Sequence, residues 1–333
     1  MLSLAIIIVA QACQKTKSVS MEESEGILYP IGFPPLPSPK DNQYTKNRWL
    51  LGKKLFYDEA LSIDSTVSCS SCHFPEYAFA DNKKTNKGVF DKDGTRNTPS
   101  LANIGYHPYL TREGGVPTLE MHVLVPIQEH NEFGFNILGI EERLNTDSAY
   151  NRLCQKAYGR NFDYYSLVRA ISVFERTMIS GNSPYDKYNF QKDASQLDAS
   201  ALRGKNIFFG SKAKCSQCHG GFNFTNYTFQ NNGLYNSYKD AGRKRLTGLD
   251  SDLGKFKVPS LRNIEITAPY MHDGSLNTLD EVIEHYSNGG KSHSNKSPLL
   301  LHLNFSNQEK EDLKTFLLSL TDQEFINNKE FKK

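Results

Sequence analysis

The stretches "LGKKLFYDEALSIDSTVSCSSCH" (51–73) and "RGKNIFFGSKAKCSQCH" (203–219) carry one message twice: a Gly-Lys helix start, an apolar pair three and four residues later, then Cys-x-x-Cys-His. A second echo follows each of them. "PSLANIGYHPYLTREGGVPTLE" (99–120) and "PSLRNIEITAPYMHDGSLNTLD" (259–280) align without a gap and share Pro-Ser-Leu-x-Asn-Ile, a Gly and a Thr-Leu followed by an acid. The chain therefore reads as a tandem duplication, with "FERTMISGNSPYDKY" (174–188) bridging the two units.

Composition agrees with two ordinary domains: 333 residues, 38% hydrophobic, with 39 basic against 37 acidic side chains. A net charge of +2 with no long basic run excludes nucleic acid as a partner on electrostatic grounds. The apolar run "LSLAIIIVA" (2–10) is too short to span a bilayer and is followed by "QAC" and a polar segment, the layout of an export signal. Ala10 and Ala12 before Cys13 resemble a bacterial lipoprotein cleavage box, with Cys13 as the acylated residue and Gln11 as a departure from it. The expected layout is export signal over 1–20, Pro-rich linker over 21–47, an N-terminal domain over 48–188 and a C-terminal domain over 189–333.

Cys69, Cys72 and His73, and again Cys215, Cys218 and His219, form the Cys-x-x-Cys-His motif of c-type haem attachment. Composition predicts about 0.003 such matches by chance, so two make the haem reading specific. Two thiols add to the haem vinyl groups, and the neighbouring imidazole is held beneath the iron as proximal ligand. A Cys₄ zinc site leaves both His residues unexplained, and a redox disulfide lacks its βαβ context. Cys154 has no partner nearby and reads as a buried structural thiol. Covalent haem agrees with an exported protein.

Helical periodicity dominates. Ser306 with Glu309 forms a capping box ahead of Leu313, Phe316, Leu317 and Leu320, and Thr278 with Glu281 does the same ahead of Leu279, Val282, Ile283 and Tyr286. The expectation is an all-α protein of two tandem cytochrome c-like haem domains with long loops. Tyr286 lies on the inward face, where a phenol can ligate iron or simply pack in the core. The repeat aligns Tyr286 with Pro126 and Val282 with His122. Proline has no donor atom, so the first iron would keep an open sixth position beside His122, itself either an acid/base group, a ligand or a core histidine.

The quoted motifs, with "RNTPSLANI" (96–104) and "VPSLRNIEITAPYMHDGSLNTLDEVIEHY" (258–286), resemble the bacterial dihaem cytochrome c peroxidases and their MauG-type relatives from about Arg48 onward. The resemblance implies a peroxidatic N-terminal haem and a C-terminal haem that takes electrons from a small cytochrome c or copper protein. The substrate would be hydrogen peroxide, the compartment the periplasm or cell envelope, and the assembly often a homodimer. It further implies Glu132 as distal carboxylate, His122 in a position usually held by glutamine, and Tyr286 as distal ligand of the second haem. One calcium ion would sit between the haems, contacted by Asn97 and the backbone of Thr267 and Pro269. Three departures stand out. The loop 79–97 lacks the histidine that caps the first iron in the peroxidase branch, Tyr286 follows the MauG-type pattern, and Arg112 stands where a tryptophan is expected between the haems, the sole tryptophan being Trp49. A MauG-like oxidase of a protein or other large substrate and a non-catalytic dihaem electron carrier are the alternative functions.

Overall fold

The computed structural model describes residues 22–24 and 26–333; the export signal and Cys13 lie outside the described residues. The fold is helical, with 3₁₀ turns and long loops between twelve α-helices among the described residues. Two short antiparallel ribbons depart from the all-α expectation: β1 (Glu22–Ser24) with β2 (Ile27–Tyr29), and β3 (Phe229–Gln230) with β4 (Phe256–Lys257). Strands of two or three residues are too short to leave an alternating signature.

Each half is organised by one crossing of two helices. In the first, α1 (Lys46–Phe56) packs on α6 (Tyr164–Arg176), with α2 (Leu119–His122), α3 (Leu124–Gln128), α4 (Ile137–Asn145) and α5 (Ser148–Tyr158) around them. The short helix α7 (Pro184–Asn189) leads into the second half. There α8 (Ala199–Phe209) packs on α11 (Asn307–Leu318), with α9 (Lys244–Thr247) and α10 (Leu279–Ser287) between them in sequence and α12 (Gln323–Ile326) after.

The repeated Gly-Lys pair is not a helix start, as its sequence suggests. The helices begin earlier, at N-caps Thr45 and Asp198. Gly52 and Gly204 lie in the helix interiors, where glycine costs about 1 kcal/mol relative to alanine. What offsets that cost is contact. A Cβ on Gly52 would lie 1.9 Å from the carbonyl oxygen of Ala170, and one on Gly204 would lie 1.9 Å from that of Asp312. Phe174 and Phe316, four residues further along the partner helices, take the next-nearest position in each case. The predicted capping box of α11 is present, Glu309 N–H donating to Ser306 Oγ at 3.2 Å and Ser306 N–H to Glu309 Oε2 at 2.8 Å.

Two segments tie the halves together. In the stretch read as a linker, Ile27, Tyr29, Phe33 and Leu36 are buried with Tyr106, against Phe190 and Phe222. At the other end Phe325, Ile326 and Phe331 join the core of the first half, alongside Phe56, Phe79 and Phe174. Between them, Arg262 and Asp186 form a fully buried bidentate pair at 2.8 and 2.9 Å. No helix among the described residues is long and apolar enough to cross a membrane.

Candidate haem sites

Both Cys-x-x-Cys-His motifs fold into the same 3₁₀ turn, Cys69–Ser71 and Cys215–Gln217, closed by the histidine N–H donating to the first cysteine's carbonyl at 3.0 and 2.8 Å. All four thiols are free, and burial pushes those of Cys72 and Cys215 up to about 12, so they stand as neutral thiols. Among the described residues no three His, Cys, Asp or Glu side chains gather to hold a metal ion.

The imidazoles are aimed alike. Nδ1 of His73 meets the carbonyl of Phe79 at 2.5 Å, and Nδ1 of His219 meets that of Phe224 at 3.1 Å. A carbonyl can only accept, so each ring carries its proton on Nδ1 and leaves the Nε2 lone pair for iron. Burial lowers both rings to about 4, which keeps them neutral at physiological pH. Phe79 and Phe224 present their carbonyls from left-handed backbone, φ 58° and 50°, a conformation costly for a bulky residue.

The repeated Pro-Ser-Leu-x-Asn phrase holds that backbone in place. Ser100 Oγ donates to the carbonyl of Ala78 at 2.6 Å, and Ser260 Oγ to that of Asn223 at 2.7 Å, one residue before each phenylalanine. Asn103 and Asn263 both adopt φ near 60°, and their N–H groups reach across to the carbonyls of Met178 and Leu320. Free thiol pair, neutral imidazole and free Nε2 together fit covalent haem at both motifs.

The opposite sides differ. In the second half α10 runs unbroken through Tyr286, which is half-buried, hydrogen-bonded to the Asn232 side chain and close enough to Cys215 and Cys218 to feel them. His285 Nε2 donates to the Asn232 carbonyl at 2.9 Å, so one loop residue fixes both side chains of the last turn. Burial pushes the Tyr286 phenol up to about 12, so the protein by itself keeps it neutral. In the first half the corresponding helix breaks at Val123 into α2 and α3. Pro126 lacks the N–H that would bond to the His122 carbonyl.

The chain then turns to place Glu132. Its N–H donates to Glu129 O at 2.9 Å and its carbonyl accepts from Val89 N–H at 2.9 Å, over Gly88, where a Cβ would lie 2.0 Å from Asn131 O. The carboxyl is exposed on one side, while the protein on its other side and neighbouring Glu129 push it up to about 7. Its charge raises the Cys72 and Cys69 thiols further beyond the effect of burial. Burial, with His73 and Lys257 nearby, lowers His122 to about 4. Glu132 and His122 thus converge on the first motif, with His122 a neutral imidazole.

Asn97 N–H donates to the His272 carbonyl at 3.0 Å, which joins it to the segment that carries Thr267 and Pro269. Arg112 occupies that junction too, its Nη2 2.6 Å from Asn97 O and 3.3 Å from Asn97 Oδ1. The oxygens expected to hold calcium number one amide and two backbone carbonyls, with no carboxylate and a guanidinium already on the amide, a poor match to a hard divalent cation. Trp49 is elsewhere, in the core of α1, donating to Thr177 Oγ1 at 2.9 Å. Sequence reasoning missed Phe79, Phe224, Asn232 and Gly88. The phenylalanines act through carbonyls that any residue owns, whereas Gly88 was visible as a lone glycine in a polar loop.

Residues 46–195 match the family model described as di-haem cytochrome c peroxidase. The chain is 32% identical over 289 residues to the methylamine utilization protein MauG of Methylorubrum extorquens, covering 86% of this chain and 81% of that one. It is 31% identical over 276 residues to the cytochrome c551 peroxidase of Nitrosomonas europaea, covering 81% and 79%. Among solved structures, a MauG-like protein associated with microbial copper homeostasis superposes with a TM-score of 0.86 at 36% identity, covering 91% of this chain and 97% of the other. The diheme peroxidase BthA from Burkholderia thailandensis shares the fold, with a TM-score of 0.74 at 19% identity over 92% and 94% of the two chains.

Proposed function

Because the chain belongs to the di-haem cytochrome c peroxidase family, which implies two c-type haems, we propose that it reduces hydrogen peroxide to water at the haem of the first motif. Electrons would come from a small cytochrome c or copper protein by way of the haem of the second motif. Cys69, Cys72 and His73 would hold one haem; Cys215, Cys218, His219 and Tyr286 would hold the other. The haems supply the iron that binds peroxide and the path for electrons.

The chain's own part is proton handling. Glu132, as carboxylate, accepts the proton of the inner peroxide oxygen and returns it to the outer oxygen, which departs as water. Two electrons delivered through the haems and two further protons would balance the reduction of one peroxide to two waters. His122, neutral, is placed to hydrogen-bond in the same space. The observation that carries this reading is the Glu132 carboxyl, pushed up to about 7 and close enough to Cys69 and Cys72 to raise their thiols, with Pro126 in the first half at the place Tyr286 takes in the second. The test is Glu132→Gln, assayed by peroxide-dependent oxidation of reduced cytochrome c. Near-normal turnover with unchanged haem spectra would sink the assignment.

A MauG-like oxidase acting on a protein or other large substrate is the second reading, favoured by Tyr286 and by likeness to the copper-associated MauG-like protein. Peroxide consumption without cytochrome oxidation would select it, and two six-coordinate low-spin haems without turnover would select an electron carrier. Covalent haem supports a location outside the cytoplasm, in the periplasm or envelope, with a lipid anchor at Cys13 if that residue is acylated.

A further inference from the structure

The two halves meet at Asn97, and every polar group of that residue is engaged. Its N–H donates to the His272 carbonyl at 3.0 Å and its Nδ2 to the Lys83 carbonyl at 3.1 Å, while its two oxygens take the Arg112 guanidinium at 2.6 and 3.3 Å. Arg112 is pinned in turn, its carbonyl accepting from Lys257 N–H at 2.7 Å.

Around it stand Arg96, bidentate to Asp240 at 2.7 and 2.8 Å and paired with Glu113 at 2.6 Å, and Lys257, whose Nζ donates to the Tyr109 carbonyl at 2.6 Å. Asp273 faces the same group. Arg245 also pairs with Glu113 at 3.2 Å. Burial beside Arg96 lowers Arg112 to about 10, which leaves it charged at neutral pH.

A calcium ion taking Asn97 Oδ1 at its usual distance of about 2.3–2.6 Å would meet a guanidinium already bonded to that oxygen. It would find no carboxylate among the expected ligands; Asp240 and Glu113 already pair with Arg96, and Asp273 accepts from the Tyr235 hydroxyl at 2.6 Å. We propose that the Arg112 guanidinium is the resident cation of this junction, holding Asn97 and the link to His272 with a covalently attached charge, so that this chain needs no calcium there. Arg112 is a positioning residue in this scheme. Its role does not depend on whether peroxide or a larger substrate is turned over.

The test uses the purified dihaem protein, measured for metal content and for absorption and paramagnetic resonance spectra with EGTA or added calcium. The wild type should hold well under one calcium per chain and give the same spectra in both. Arg112→Ala should perturb the spectra, recover them on addition of calcium or guanidinium ion, and bind calcium about a hundredfold more tightly than the wild type. Arg112→Lys keeps the charge and should stay indifferent to calcium. One tightly held calcium per wild-type chain, or wild-type spectra that change with EGTA, overturns the proposal. So does an Arg112→Ala protein whose spectra ignore calcium. Should that variant fail to fold, the wild-type metal content still decides.

Discussion

Residues 118–128 and 278–287 start alike, with a threonine cap and a leucine, and end differently. The second is one helix that carries a phenol over its haem motif; the first breaks before Pro126 and then turns to deliver a carboxyl. Everything beneath is shared: the 3₁₀ turn, the carbonyl behind each imidazole, the serine behind each carbonyl and the glycine at each helix crossing. The duplicated part is what fits two c-type haems, and under the proposed function the divergent part would set what each haem does. At the position where the second half carries Tyr286 the first carries Pro126, and the proposed contrast between a capped and an open iron rests on that one difference.

Four changes would break or sharpen that contrast. The largest effect should come from Glu132→Gln, expected to cut kcat/KM for peroxide by about 10²–10⁴-fold while leaving absorption spectra and melting temperature near those of the wild type. Next come Gly52→Ala and Gly204→Ala. Each drives a methyl group into a backbone carbonyl 1.9 Å away and should cost about 3 kcal/mol, read as a lowered denaturation midpoint. A cost in one half alone would refute the equivalence of the two crossings.

Third, the pH profile separates the halves. The protein on one side of the partly exposed Glu132 carboxyl, with Glu129 beside it, pushes it up to about 7, and the proposed mechanism needs the carboxylate. The rate constant kcat/KM should therefore fall about tenfold per pH unit below 7 and level off above, and this limb should vanish in Glu132→Gln. The smallest effect on turnover is expected from Tyr286→Phe. It removes the distal oxygen and should convert the second haem to five-coordinate high spin, while peroxide turnover at the first changes less than about tenfold. A loss comparable to that of Glu132→Gln would make Tyr286 part of the reacting site.

The haem motifs were legible because three residues at fixed short spacing state both cofactor and attachment, and Pro126 because a ring without a donor atom is a side-chain property, although the helix break at Val123 was not read from it. Gly52 and Gly204 were misread as helix starts, since a glycine's local signal is the same whether it ends a helix or admits a distant backbone. Phe79 and Phe224 could not be read at all, because their contribution is a carbonyl and an unusual φ. Arg112 appeared as an anomaly and became intelligible only once its distance to Asn97 was known.

The return of Phe325, Ile326 and Phe331 onto the first half has a consequence for how the molecule is made. Phe325 and Phe331 pack edge-on or tilted against Phe79, the residue behind the His73 imidazole, Phe331 also meets Phe174, and Ile326 joins the same core. Ribosomes work from one end, so the core behind the first haem motif stays unfinished until the whole second half has emerged. The order of synthesis is thus opposite to the order of completion: the haem attachment site translated first is the last to gain its full hydrophobic backing. A cut in the bridge near residue 188 would not release two intact domains, because the first would leave part of its core on the second.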